Sequence, residues 1–243
     1  QIRRGKITGD IKFSHVSFRY PGQKQDTLKN LNLSIKAGEK VAVLGKIGSG
    51  KTSLLRLLAG IYEPNEGSVQ IDQTGVGHIH PEDLRAGLGV VLQTPMLFSG
   101  SVKENLLLGK LDATDEDVIE AAKQAGIDEF IGQLPNGYET ILTERGQQLS
   151  GGQRQAMCIA RSLISNPSII VMDEPTSAMD SNTEQQLMFR LKSLFEHKTV
   201  IVITHRGTLL SLVDRVIIMD SGRIVADGPK EDVLKSAKTG TAS

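Results

Sequence analysis

The chain of 243 residues has a single cysteine, Cys158, so no disulfide can close within it. One thiol fits a reducing compartment, and its place in an apolar, helix-like stretch predicts a buried, inert side chain. Excess charge of either sign is lacking as well, because 28 Lys and Arg balance 28 Asp and Glu. The basic footprint of a nucleic-acid binder is therefore missing, and no nucleic-acid partner is expected. No apolar run approaches the roughly 20 residues of a membrane span, and no signal peptide is visible. Internal repeats and low-complexity segments are absent too. The chain starts at Gln1 and not at methionine, which is expected of a piece excised from something longer. The lack of a membrane segment then speaks only for this piece.

What is present is the balance of a soluble globular protein, 39% hydrophobic and 23% charged. The length suits one large domain, or a core with a subdomain. In "DIKFSHVSFRY", Ile11 and Phe13 alternate, then Val16, Phe18 and Tyr20 alternate in shifted phase, which predicts a bulge near His15. "NLNLSIK" keeps a period of two through Leu31, Leu33 and Ile35, and "AGEK" turns into the strand "VAVLG". "SIIVM", "TVIVIT" and "RVIIM" are continuously apolar, the pattern of parallel strands covered on both faces. Between the first two, a helix from about Thr183 to Glu196 is expected, with Ser181 and Glu184 as a capping box. The fold class is therefore α/β. The segment 95–165 reads as a helical insert: Thr114 caps a helix that Gly126 stops, and a longer helix follows "SGGQ". The tail from about residue 237 is expected to fray.

Chemistry enters with "LGKIGSGKTSLL", Leu44 to Leu55. Gly45, Gly50, Lys51 and Thr52 match G-x-x-x-x-G-K-[ST] between a strand and a helix. Glycines let backbone N–H groups converge on phosphate oxygens, and a helix N-terminus favours the anion. Lys51 would reach the β- and γ-phosphates, and the Thr52 hydroxyl would ligate Mg²⁺. "IIVMDE" supplies carboxylates at a strand's C-terminal end, where open α/β sheets bind ligands. Asp173 would hold Mg²⁺ through water, and Glu174 would orient and deprotonate an attacking water. "LSGGQRQ", Leu149 to Gln155, is a second glycine corner opening a helix, a further potential set of phosphate donors. His78 and His80 invite a metal reading, but no further ligands lie near them and they are read as loop residues.

With these motifs the chain resembles the nucleotide-binding domains of ATP-binding cassette proteins, over about Ile11 to Leu234. "LSGGQ" is the signature, Gln93 the glutamine between subdomains, "SAMD" the D-loop and His205 the switch histidine. The resemblance implies a RecA-like P-loop NTPase core with an N-terminal antiparallel β-subdomain, spanning residues 1–94 and 166–236. The helical signature subdomain would be residues 95–165. It further implies that two copies pack head to tail, each nucleotide lying between one phosphate loop and the other copy's signature. ATP would contact Tyr20 through its adenine, and Gly45, Lys46, Ile47, Gly48, Ser49, Gly50, Lys51, Thr52 and Ser53 through its phosphates. Ser150, Gly151, Gly152, Gln153 and Asp180 would act across the dimer. Gln93 would touch Mg²⁺ or the water, and His205 would hydrogen-bond the γ-phosphate and Glu174. Thr52 stands where serine is commoner, Met179 where leucine is usual, and "TERG" has Thr143 for the first glycine of an exporter element in which Glu144 would meet the membrane partner.

"MLFSGSVKENLLLG" is similar to exporters, and "THRGTLLSLVDRVIIMDSGRIVADGPKEDVL" resembles bacterial type I secretion exporters most. This implies fusion behind membrane helices, a place on the cytoplasmic face of the bacterial inner membrane, and a periplasmic adaptor with an outer-membrane channel. Other exporters, a separately encoded importer ATPase and an ATP-binding module without turnover are the alternatives. Intact Glu174 and His205 argue against the last. A DNA-repair ATPase of the same superfamily would need a heptad-bearing coiled coil between loop and signature, and none is present.

Overall fold

In a computed structural model, which describes residues 2, 3 and 5–240, alternating sequences become one sheet and continuous apolar runs another. β1 (Ile11–Phe18) and β2 (Leu28–Ile35) pair antiparallel, Ile11 opposite Ile35 and Phe13 opposite Leu33, all four buried. The phase slip is a bulge: register shifts between Phe13 and Val16, and His15 takes φ 50°. The chain then leaves this sheet for β3 (Lys40–Gly45) and α1 (Lys51–Leu58), and returns for β4 (Glu66–Ile71) and β5 (Thr74–Gly75). α2 (Pro81–Gly87) is capped by His80, whose Nδ1 accepts the Glu82 N–H at 3.4 Å, and it leads into β6 (Leu88–Val91).

Helices then dominate. The short strands β7 (Gly100–Ser101) and β8 (Ile141–Leu142) pair around α3 (Val102–Leu107), α4 (Asp115–Gln124) and α5 (Asp128–Gln133), and α6 (Gly151–Leu163) follows the signature. Thr114 caps α4 in a box with Asp117. Next come β9 (Ile169–Asp173), α7 (Ser181–Leu194), β10 (Thr199–Ile203), β11 (Arg215–Asp220), β12 (Arg223–Pro229) and α8 (Lys230–Gly240).

The central sheet has the order β12-β11-β3-β10-β9-β6, parallel except for β12. Its strands serve two cores in alternation, as a two-residue period requires. Val41, Val43, Val171, Ile201 and Ile203 pack with α1 and the antiparallel sheet. Ala42, Ile170, Met172, Val200 and Val202 face the helical side. Each fully buried aliphatic side chain contributes about 1.5–3 kcal/mol, so a charge placed in β9 or β10 would break both layers. This double coverage is why those strands read as unbroken apolar runs. The parallel strands also end on one edge, which gathers the turns after β3, β9 and β10.

Two expectations change. The helix α7 begins at Ser181 and is capped by Asp180, not by a Ser181–Glu184 box. Asp180 accepts the Thr183 N–H at 2.9 Å and its hydroxyl at 2.7 Å, and a carboxylate accepting two bonds outcompetes the neighbouring serine. The helix α8 runs on through Gly240, past the point where fraying was expected, while residues 241–243 lie outside the described ones.

Candidate active site

The corner between β3 and α1 needs glycine for two reasons. Gly50 takes φ 102°, and a Cβ there would stand 2.7 Å from Leu28 Cδ2 and 3.1 Å from Thr27 O. With no side-chain cap and no acid in its first turn, α1 leaves first-turn N–H groups for an anion. Lys51 folds back over this corner, donating to Gly45 O at 2.5 Å, Lys46 O at 2.9 Å and Ser49 Oγ at 3.4 Å. Burial pulls its pKa down, against the opposing pull of Asp173 and Glu174.

The acids at the end of β9 face the same cleft, which measures about 380 Å³. Thr52 Oγ1 donates to Asp173 Oδ2 at 2.8 Å. Burial pushes the Asp173 carboxyl up, the Thr52 hydrogen bond opposes, and the Glu174 charge adds to the rise. Glu174 is 6% exposed. Its Oε1 lies 2.6 Å from His205 Nδ1 and accepts the His205 N–H at 3.1 Å, while Oε2 accepts from Thr204 Oγ1 at 3.3 Å. Glu174 also takes φ 45°, a left-handed conformation costing a non-glycine residue about 1–2 kcal/mol. The N–H of Glu174, bonded to Ile203 O at 2.8 Å, fixes that kink to β10. His205 is 83% exposed at the mouth, and Gln93 lines the same cleft.

Tyr20 borders the cleft but does not stand free. Its ring lies edge-on to Phe18 and Tyr62, and its hydroxyl meets Ser53 Oγ at 2.8 Å and accepts from Arg56 Nη1 at 2.9 Å. Arg56 also lies over the ring, 5.4 Å from its centroid.

The signature is elsewhere. Ser150 caps α6 in a reciprocal box with Gln153, which employs two of the corner's N–H groups and leaves those of Gly151 and Gly152 without an intrahelical acceptor. Those glycines give room to the D-loop of the same chain: a Cβ on Gly151 would be 2.9 Å from Ala178 Cβ, and one on Gly152 3.2 Å from Ala178 O. Neither they nor Ser150, Gln153 and Asp180 line the cleft. The structure thus unites Tyr20, Gly45, Ile47, Gly48, Gly50, Lys51, Thr52, Ser53, Gln93, Asp173, Glu174 and His205, with Lys46 and Ser49 in the loop beneath them.

Sequence reasoning gave no role to three residues here. Gln155 donates to Ser177 Oγ at 2.8 Å and accepts the Ala178 N–H at 2.9 Å, tying α6 to the D-loop. Thr204 bonds Glu174, and Arg206 reaches Thr176 O at 2.7 Å. A polar residue directly after an apolar strand was the available signal for Thr204. The other two have partners too distant in sequence to leave a local pattern.

Residues 28–177 match the family model described as ABC transporter. The chain belongs to the ABC transporter family. It is 40% identical over 233 residues to the uncharacterized ABC transporter ATP-binding protein YfiB of Bacillus subtilis (strain 168), covering 96% of this chain and 40% of that protein. It is 42% identical over 232 residues to the leukotoxin translocation ATP-binding protein LktB of Mannheimia glucosida, covering 96% of this chain and 33% of that one. A solved structure of a bacterial Atm1-family ABC exporter with ATP bound matches with a TM-score of 0.90 and 36% identity, over 97% of this chain and 41% of that one. The chain spans roughly a third to two-fifths of these relatives. It is an ATP-binding ATPase domain of that family. Among the described residues, no helix is long and apolar enough to cross a membrane.

Proposed function

We propose that this ABC domain is the motor of a type I secretion exporter, turning ATP hydrolysis into movement of a protein cargo across the bacterial envelope. The observation that carries the motor reading is the convergence of Lys51, Thr52, Asp173, Glu174 and His205 on one cleft. In this reading Tyr20 meets adenine, and the loop from Gly45 to Ser53 holds the phosphates, with Lys51 exchanging its own carbonyl partners for phosphate oxygens. Thr52 and Asp173, already in hydrogen-bond contact, offer the hard oxygen donors suited to Mg²⁺, with Gln93 beside them. When bound, that ion neutralises charge on the phosphate oxygens. Glu174 takes a proton from the attacking water, the water oxygen bonds to the terminal phosphorus, and ADP leaves with the bridging oxygen. His205 steadies the terminal phosphate and Glu174 together. Catalysis of this kind is mostly positioning and charge stabilisation.

A second copy would supply Ser150, Gly151, Gly152 and Gln153, with Asp180 acting across the same seam. The separation of these residues from the cleft within one chain supports that arrangement. Closure of the pair would push membrane-spanning domains on the cytoplasmic face of the inner membrane. The secretion branch rests on the name of LktB, a leukotoxin translocation protein, and would bring a periplasmic adaptor and an outer-membrane channel. An exporter of another cargo is the second reading, favoured by the match to a bacterial Atm1-family ABC exporter. The test is Glu174→Gln: ATP binding by calorimetry stays within about twofold, while phosphate release falls by roughly a hundredfold or more. Hydrolysis at the parental rate would remove Glu174 as the base. Installed in the full-length transporter, the same substitution stops release of a repeat-rich protein cargo if the secretion branch holds.

A further inference from the structure

The expected helix cap at Glu184 failed, and what Glu184 does instead points elsewhere. It lies on the first turn of α7, 3% exposed, an unusual place for a carboxylate without a partner. Three groups meet there. Thr176 Oγ1 donates to Glu184 Oε2 at 2.5 Å, the Arg206 guanidinium pairs with the same oxygen, and the same Arg206 nitrogen donates to Thr176 O at 2.7 Å. Among the described residues no buried side-chain nitrogen or oxygen is left without a partner, those of this cluster included.

Its position is what matters. Thr176 follows Glu174 by two residues on the turn after β9, and Arg206 directly follows His205 on the turn after β10. The cluster therefore clamps together, from behind, the two turns that carry Glu174 and His205. A second thread runs between them in front: Arg206 N–H donates to Thr204 Oγ1 at 2.9 Å, and Thr204 Oγ1 donates to Glu174 Oε2 at 3.3 Å. We infer that Glu184 and Arg206 are positioning residues for hydrolysis, an ion pair between a buried carboxylate and a half-buried guanidinium that holds His205 and Glu174 at hydrogen-bond distance while touching neither nucleotide nor water. A pair of this kind adds little net stability, because desolvation of the carboxylate offsets its attraction. Its contribution is geometric: it adds a tie from α7 to the hydrogen bonds that already join the left-handed Glu174 to the turn carrying the highly exposed His205 side chain. This inference rests on Glu174 and His205 having the roles given above.

The test compares steady-state hydrolysis by the purified chain and five variants, the singles Glu174→Gln, Glu184→Gln, Arg206→Ala and Arg206→Lys and the double Glu184→Gln with Arg206→Ala, with ATP affinity measured on each. Glu184→Gln and Arg206→Ala are expected to lower kcat by roughly ten- to a hundredfold, with KM and ATP affinity unchanged within about twofold. Only one Arg206 nitrogen serves both acceptors, so a lysine ammonium can replace it, and Arg206→Lys is expected to recover part of the lost kcat. The double variant Glu184→Gln with Arg206→Ala should be no slower than the slower single one, because both break the same clamp. Should Arg206→Ala not fold, Glu184→Gln keeps the volume and an acceptor oxygen and carries the same measurement. Folded variants that keep parental kcat while Glu174→Gln is inert would overturn the clamp alone. Unimpaired Glu174→Gln would overturn the reading beneath it and the clamp with it.

Discussion

Lys51 and Glu174 are each held by groups of their own chain, but only Lys51 would be asked to exchange those partners for substrate. The Lys51 ammonium satisfies itself on carbonyls of Gly45 and Lys46. A phosphate oxygen is a charged acceptor, and hydrogen bonds to charged groups contribute about 1.5–3 kcal/mol. Lys51→Ala is therefore expected to weaken ATP binding by roughly ten- to a hundredfold, measured by calorimetry, and unchanged affinity would contradict its role. The difference from Glu174→Gln is diagnostic, since that change should spare binding and remove turnover. These residues were legible in the sequence because a phosphate demands particular side chains at fixed spacing. Glu184 and Arg206 were not legible, because a clamp between positions 22 apart leaves no periodic trace. Glu184 also sits where a helix cap would place it, so the local rule gave the wrong role.

Among elements, the turn and D-loop after β9 are held from two sides. Gln155 on α6 holds them from one side through Ser177 and Ala178, and Glu184 on α7 holds them from the other through Thr176. Gln155 is 3% exposed, so truncating it removes two hydrogen bonds to the D-loop and leaves its own site unfilled. Gln155→Ala is expected to destabilise folding by about 1–3 kcal/mol, read as a lower urea midpoint with an unchanged slope. An unchanged midpoint would mean that water replaces the amide without loss. The period-two alternation of β1 and β2, the bulge at His15 and the apolar runs of β9 to β11 could be read directly, since each reports burial one residue at a time. The start of α7 could not, because Asp180 and Ser181 are both good caps and only the folded turn decides between them. The helix α2 went unread for a related reason: its apolar periodicity is weak, and His80 is not an obvious cap.

Over the whole molecule, the two glycine corners that we propose share a nucleotide lie apart within one chain. Lys51, Asp173 and Glu174 open on the cleft, while Gly151 and Gly152 have their N–H groups elsewhere, beside the N-cap Ser150. Ile47, fully exposed at the tip of the phosphate loop, is the kind of apolar surface that a second copy would cover. Gln155 joins the signature helix to the D-loop of the same chain by two hydrogen bonds. The central claim is that hydrolysis needs both corners at once, from different chains. Phosphate release per chain, measured at saturating Mg-ATP across a dilution series of the purified domain, tests this most directly. The account predicts that specific activity falls steadily as the protein is diluted; a specific activity constant down to the lowest concentration would contradict it.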